Sequence, residues 1–289
     1  MKIKKIFSLI LISAFTVTCL TGCGTKKIEK ANILTTSYAL QYLVDRLAIN
    51  KDGVDTIFPA GVNTDDYTLT DKQIKKFATK NDIFVYNGLT KERKIALNLI
   101  NTNNHLTVID CTKGMSIINN GEELFLSPSN YLMLAQNMKN EFLEQTTSRV
   151  TKEEIESKYE KLKLTISTYD ASLKEIASLS KNNTIVAGNS TFEFLEKYGF
   201  NVLTVETKDN IKNDMQYAKE AVKSKVAQYV FVLSTDEETE NVKTLVSLGA
   251  TKVVINSMNN LTEDNKTNKV TYETIMNDLI ENVRTEVNN

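Results

Sequence analysis

The sequence predicts an α/β fold: two lobes, each with a parallel sheet flanked by helices, joined by one long rigid helix. Three observations carry this expectation. The chain has 289 residues, enough for two cores. Short apolar runs alternate with helical patterns in both halves, the signature of βαβ units. Between the halves lies an amphipathic stretch that no Gly or Pro interrupts.

Taken in order, the strand candidates of the first half are "ANILTTS" (31–37), "VDTIFPAG" (54–61), "DIFVYNG" (82–88) and "HLTVIDC" (105–111). Helical stretches such as "YALQYLVDRLAI" (38–49) and "DKQIKKFATK" (71–80) lie between them. The second half repeats the pattern with "NTIVAG", "FNVLTVE", "AQYVFVLS" and "TKVVINS". From 151 to 181 the residues Ile155, Tyr159, Leu162, Ile166, Tyr169, Leu173 and Ile176 recur every three or four positions. A helix of that length is about 45 Å long at 1.5 Å per residue. A coiled-coil seam would also use this stripe, but two flanking lobes cover it more simply. Ser127-Pro128, and Ser234 with Glu238 following, read as helix starts.

The N-terminus is a processing signal. Lys2, Lys4 and Lys5 form a basic end, residues 6–17 are apolar but short for a membrane span, and "LTGC" follows at 20–23. This resembles a bacterial lipobox, which implies a lipid on the Cys23 sulfur and removal of the preceding peptide. The expected organisation is a lipoprotein signal peptide (1–22), a tether (23–30), an N-terminal α/β lobe (31–150), the linking helix (151–181) and a C-terminal α/β lobe (182–289). Acyl chains contribute about 0.8 kcal/mol of membrane affinity per buried CH₂, so the expected location is the outer face of the cell membrane. Processing would remove three of 35 basic residues and none of the 36 acidic ones, taking the formal charge from −1 to −4. No basic block suggests nucleic acid as a partner. Cys19 would leave with the signal and Cys23 would carry lipid, so Cys111 has no partner for a disulfide and reads as buried packing.

In open parallel sheets, ligands sit beyond the carboxyl ends of the strands. The loop "FPAGVNTDDYTLT" (58–70) follows such an end, with adjacent carboxylates at Asp65 and Asp66. Together with "ILTTSYALQYLVDRLA" and "DIFVYNGL", it resembles the N-terminal lobe of the substrate-binding lipoproteins of zinc and manganese ABC transporters. "EELFLSPSNYLMLAQNM", "VAGNSTFEFLEKYGFNV" and "ATKVVINSM" resemble that family's later ligand segments. The resemblance implies a solute captured between two lobes and handed to a membrane permease, by a monomer that closes only slightly about its rigid helix.

Carried over residue by residue, the family's metal-ligand positions fall on Asp65, Glu123, Asn189 and Asn256, and a Glu sometimes used falls near Leu233. None is a histidine. The chain's single histidine, His105, precedes a strand, where the family has no ligand. Zinc prefers imidazole or thiolate, whereas an all-oxygen set with two carboxylates suits Mn²⁺, Mg²⁺ or Ca²⁺. A plainer role fits the same residues: the aspartates brace a turn, Glu123 is a solvated loop acid, and the asparagines make local hydrogen bonds. A surface adhesin-like lipoprotein that keeps the fold without a transported metal is the alternative function. No phosphate loop, G-x-G-x-x-G or H-E-x-x-H is present, and an enzyme is not expected. Tyr38, Tyr67 and Tyr86 sit at strand ends, where they could line the cleft.

Overall fold

The computed structural model describes residues 28–50, 53–64, 66–116, 123–205 and 214–288; Cys23, the signal and most of the tether lie outside them, as does Asp65. Strands β1 (Ile33–Thr35), β2 (Val54–Thr56), β3 (Ile83–Tyr86) and β4 (Thr107–Asp110) form a parallel sheet in the order β2-β1-β3-β4. Strands β5 (Thr184–Ala187), β6 (Asn201–Thr204), β7 (Tyr229–Leu233) and β8 (Thr251–Ile255) repeat that order as β6-β5-β7-β8. Each falls within a run expected to be a strand. The expectation of two α/β lobes is met.

Both faces of each sheet are covered, as parallel sheets require. In the first lobe Ile33, Ile83 and Val85 face the middle of the molecule, while Leu34 and Phe84 face outwards. The outward pair is covered by Ile74 and Ala78 of α2 (Asp71–Lys80) and by Ala96 and Leu99 of α3 (Glu92–Thr102). In the second lobe Val186, Val230 and Val232 are covered in the same way by α7 (Met215–Lys223) and α8 (Glu240–Ser247).

The inward faces of both sheets belong to one continuous core built around α6 (Arg149–Leu179). All seven stripe residues are buried there. Ser148 caps the helix start by accepting from Thr151 N, and its 31 residues span about 46 Å. Flanking it are α1 (Tyr38–Leu47), α5 (Pro128–Glu144, preceded by the four-residue α4, Glu123–Leu126) and the C-terminal α10 (Tyr272–Asn288, preceded by α9, Glu263–Thr267). Pro128 takes the first helical position of α5, where its missing N–H is no loss. Ser234 starts no helix: α8 begins instead at Glu240, capped by Thr239, whose hydroxyl accepts from Val242 N. Ser234 Oγ accepts from Ser257 N at 3.2 Å, tying the β7 and β8 ends together.

Tyr272, at the start of α10, locks the lobes together. Its ring stacks on Tyr131 of α5 at 4.2 Å and lies 5.3 Å from Tyr42 of α1 and 6.0 Å from Tyr169 of α6. Glu273 beside it accepts from Tyr42 and Arg46 of the first lobe. These contacts clamp the C-terminal helix to the N-terminal lobe.

A buried acid of the same helix, Glu286, accepts from Gln228 N and Tyr229 N at the start of β7. Burial raises its carboxyl from 4.5 to about 7 despite those two bonds. The folded chain therefore holds the proton over a window, pH 4.5 to about 7, in which the unfolded chain releases it. Bound protons in excess in the native state mean that this group's contribution falls as pH rises through the window. Glu286→Gln is expected to reduce the loss of stability between pH 5 and about 7 in urea titrations. A variant with an unchanged pH slope would contradict this.

Candidate functional site

Because all eight strands are parallel within their sheets, their carboxyl ends share one edge in each lobe, and bonds between the loops beyond β1, β2 and β8 bring the two edges together about an interlobe cleft. Main-chain bonds close its base: Tyr38 N and Ala39 N donate to Asn259 O and Met258 O, each at 3.0 Å. Gly61 N donates to Leu261 O at 3.1 Å, and Asn260 Nδ2 donates to Pro59 O at 2.7 Å. The loop after β2 is thus sewn to the loop after β8. Gly61 adopts a φ of +74°, a turn conformation that an L side chain disfavours.

Beyond that turn, Asn63 Nδ2 donates to Asp66 Oδ2 at 2.8 Å, so Asp66 braces the loop. Tyr67 packs edge-to-face on Phe58 and its hydroxyl accepts from Gln73 Nε2. Gln73 also completes a capping box with Thr70 that starts α2. After β3, Asn87 N donates to Glu92 Oε2, as does the Thr36 hydroxyl. After β4, Asp110 Oδ1 accepts from Gly88 N, Thr112 N and the Thr112 hydroxyl at 3.0, 2.9 and 2.6 Å. Cys111 beside it is fully buried, and burial pushes its thiol well above the ordinary range, as an inert packing residue requires.

Glu123 opens α4 and is buried, with 5% of its surface exposed; it is not a solvated acid. That short helix packs towards the 3-10 helix Ser190–Tyr198, which Asn189 begins, so Glu123 and Asn189 lie on facing lobes. Asn189 Oδ1 accepts from Thr191 N, and its Nδ2 donates to both carboxylate oxygens of Asp236 at 2.7 Å. Asn256 Oδ1 accepts from Met258 N at 2.8 Å, and its Nδ2 donates to Asn265. Both asparagines thus make local turns, each carbonyl keeping one lone pair. Among the described residues no group of three His, Cys, Asp or Glu side chains could hold a metal ion.

Asp236 is a carboxylate that the resemblance does not point to. The family's additional carboxylate position falls near Leu233, but the acid stands three residues beyond, where its Oδ2 also accepts from Leu233 N at 2.7 Å. The rule that ligands gather after parallel strands would have found it in "FVLSTDEE". His105 is exposed at the opposite, amino-terminal edge of the first sheet, just before β4, so no cleft chemistry can use it.

Residues 33–286 match the family model of the zinc-uptake complex component A, a periplasmic protein. The chain belongs to the ZnuA family. ZnuA-type chains are binding components of ABC transporters for metal ions, and membership extends over both lobes and the linking helix. The Zn(II)-bound ZnuA-like domain of Streptococcus pneumoniae AdcA superposes with a TM-score of 0.72 at 20% identity, covering 90% of this chain and all of that one. The metal-dependent lipoprotein YcdH of Bacillus subtilis gives 0.72 at 18%, covering 89% and 99%. The periplasmic zinc-binding protein TroA of Treponema pallidum gives 0.69 at 15%, covering 90% and 100%. No curated protein matches. At these identities the structural neighbours establish the shared fold. Among the described residues, no helix is long and apolar enough to cross a membrane.

Proposed function

We propose that this ZnuA-type chain is an extracytoplasmic lipoprotein, held to the membrane through Cys23, that captures a divalent cation between its lobes and delivers it to an ABC permease. One observation supports the choice of ion: the residues at the family's ligand positions carry oxygen donors, and the chain's single histidine lies at the far edge of the sheet. Asp65 and Glu123 are the charged ligands of this reading, with Asn189 and Asn256 contributing carbonyl oxygens. Asp236, bonded to Asn189, would be the carboxylate to add if the set is larger. Such a set favours Mn²⁺, Mg²⁺ or Ca²⁺ over zinc. Family membership supports a metal importer over the adhesin-like alternative.

The test is calorimetric. The chain from Gly24 onward, stripped with chelator, is titrated with Mn²⁺, Ca²⁺, Mg²⁺ and Zn²⁺ beside an Asp65→Ala/Glu123→Ala variant. Binding of a hard cation with a Kd of about 1 μM or tighter, some 8 kcal/mol, is expected in the parent and lost in the variant. Silence for every metal, or zinc binding that survives the double substitution, would refute the reading.

A further inference from the structure

Helices α2 and α3 lie side by side on the outward face of the first sheet, burying Ile74, Ala78, Ala96 and Leu99 against it. Their flank towards the loop after β2 walls an N-lobe cavity of about 240 Å³ with Phe58, Tyr67 and Ile95. The side turned to solvent is basic. Residues 71–102 carry seven Lys and Arg against three acids, a surplus of +4 in a chain whose formal charge is −1. Lys72, Lys75 and Lys76 of α2 and Arg93 and Lys94 of α3 are exposed, and among the described residues none of the five makes an ion pair. Of the three acids, Glu92 turns its Oε2 to Thr36 and Asn87, and Asp82 accepts from Asn32 N. Only Asp71 stands on the basic helix itself. Leu97, 55% exposed, lies four residues on from Arg93 and three from Lys94, so two cations flank an apolar side chain in solvent.

We propose that this face of the N-terminal lobe rests on an anionic lipid surface, with its five cations among the headgroups and Leu97 at the acyl boundary. Charge complementarity is the first argument. An anionic membrane repels a chain of net negative charge, except where one face is positive, and that face then sets the orientation. Lysine stems lie along apolar surface while their ammonium groups stay in the headgroup layer, which suits a patch centred on Leu97. The second argument is where the tether enters the fold. Asn32 Nδ2 donates to Lys80 O at 3.2 Å, which places the start of the lobe beside the last turn of α2. Ile28 is five residues on from Cys23, a reach of at most ~18 Å, and α2 is itself about 15 Å long. For the nearness of the membrane the proposal rests on the Cys23 anchor. It takes nothing from the cation reading.

The experiment is sedimentation of the chain from Gly24 onward, which carries no lipid, at low ionic strength and in excess chelator. The vesicles are equal parts phosphatidylglycerol and phosphatidylcholine, or phosphatidylcholine alone. The expected result is binding to the anionic vesicles only. Because the protein has no tryptophan, Leu97→Trp and Leu164→Trp report which face makes contact; Leu164 is exposed on α6, across the sheet from α2. Emission from Leu97→Trp should shift to the blue on the anionic vesicles, and that from Leu164→Trp should stay put. Lys75→Gln/Lys76→Gln/Lys94→Gln should weaken binding about a hundredfold, at about fivefold per cation near an anionic surface. Lys161→Gln/Lys181→Gln/Lys223→Gln removes the same charge from other exposed positions and should change it by no more than about twofold. Absence of binding to the anionic vesicles, or equal binding to both kinds, would overturn the proposal. So would equal weakening by the two triple variants, or a blue shift at Leu164→Trp. Mass spectrometry of the membrane-extracted protein reads the lipid on Cys23 separately, so the vesicle result stands whatever is found there.

Discussion

Tyr272→Ala is expected to cost about 3–5 kcal/mol, the range for truncating a large buried aromatic, and to lower Tm by roughly 10 °C. The ring is fully buried and touches Tyr42, Tyr131 and Tyr169, which come from three different helices. Tyr272→Phe separates packing from polarity. The Tyr272 hydroxyl is buried without a hydrogen-bond partner, so its removal should be neutral or stabilise by up to about 1 kcal/mol. Tyr131→Phe makes the contrast: its hydroxyl donates to Ala39 O at 2.7 Å, and losing that bond should cost about 1 kcal/mol. If alanine at 272 proved as harmless as phenylalanine, the aromatic lock between the lobes would be a minor contact.

Gly88→Ala should be nearly as damaging, although the residue lies in a loop. A Cβ there would fall 1.9 Å from Asp110 Oδ2, which no real structure tolerates. Asp110 cannot swing away without giving up Gly88 N and Thr112, and bonds to a charged acceptor are worth about 1.5–3 kcal/mol each. A loss of about 3 kcal/mol is expected in urea unfolding, together with displacement of Asn87 and Glu92, which line the N-lobe cavity. A loss under about 0.5 kcal/mol, typical of ordinary surface changes, would show that the carboxylate finds another rotamer freely.

The fold was legible because its determinants are local. Each strand lies in a short apolar run, and α6 carries an unbroken stripe that two sheets must cover. The site was legible only in part. The loops after β2, β4, β5 and β8 follow from parallel topology, and the resemblance placed Glu123 and Asn189 on facing elements. It did not show that Asn189 and Asn256 also make turns of their own, although "GNST" and "NSM" have the Asx-turn composition. Asp236 is less legible because it stands in the loop three residues beyond the end of β7, past the position near Leu233 that the resemblance implies. The N-lobe cavity was invisible for a different reason. Its walls, at Phe58 and Ile95, belong to elements far apart in the chain that meet only through tertiary packing.

The claim that the cleft holds a cation through oxygen ligands is tested most directly by crystallising the chain from Gly24 onward with Mn²⁺ and recording an anomalous difference map. The account predicts a single strong peak between the lobes, bonded to the Asp65 and Glu123 carboxylates, with Asn189, Asn256 or Asp236 completing the shell. A map with no peak in the cleft at saturating Mn²⁺, or with peaks only at surface carboxylates, would contradict it.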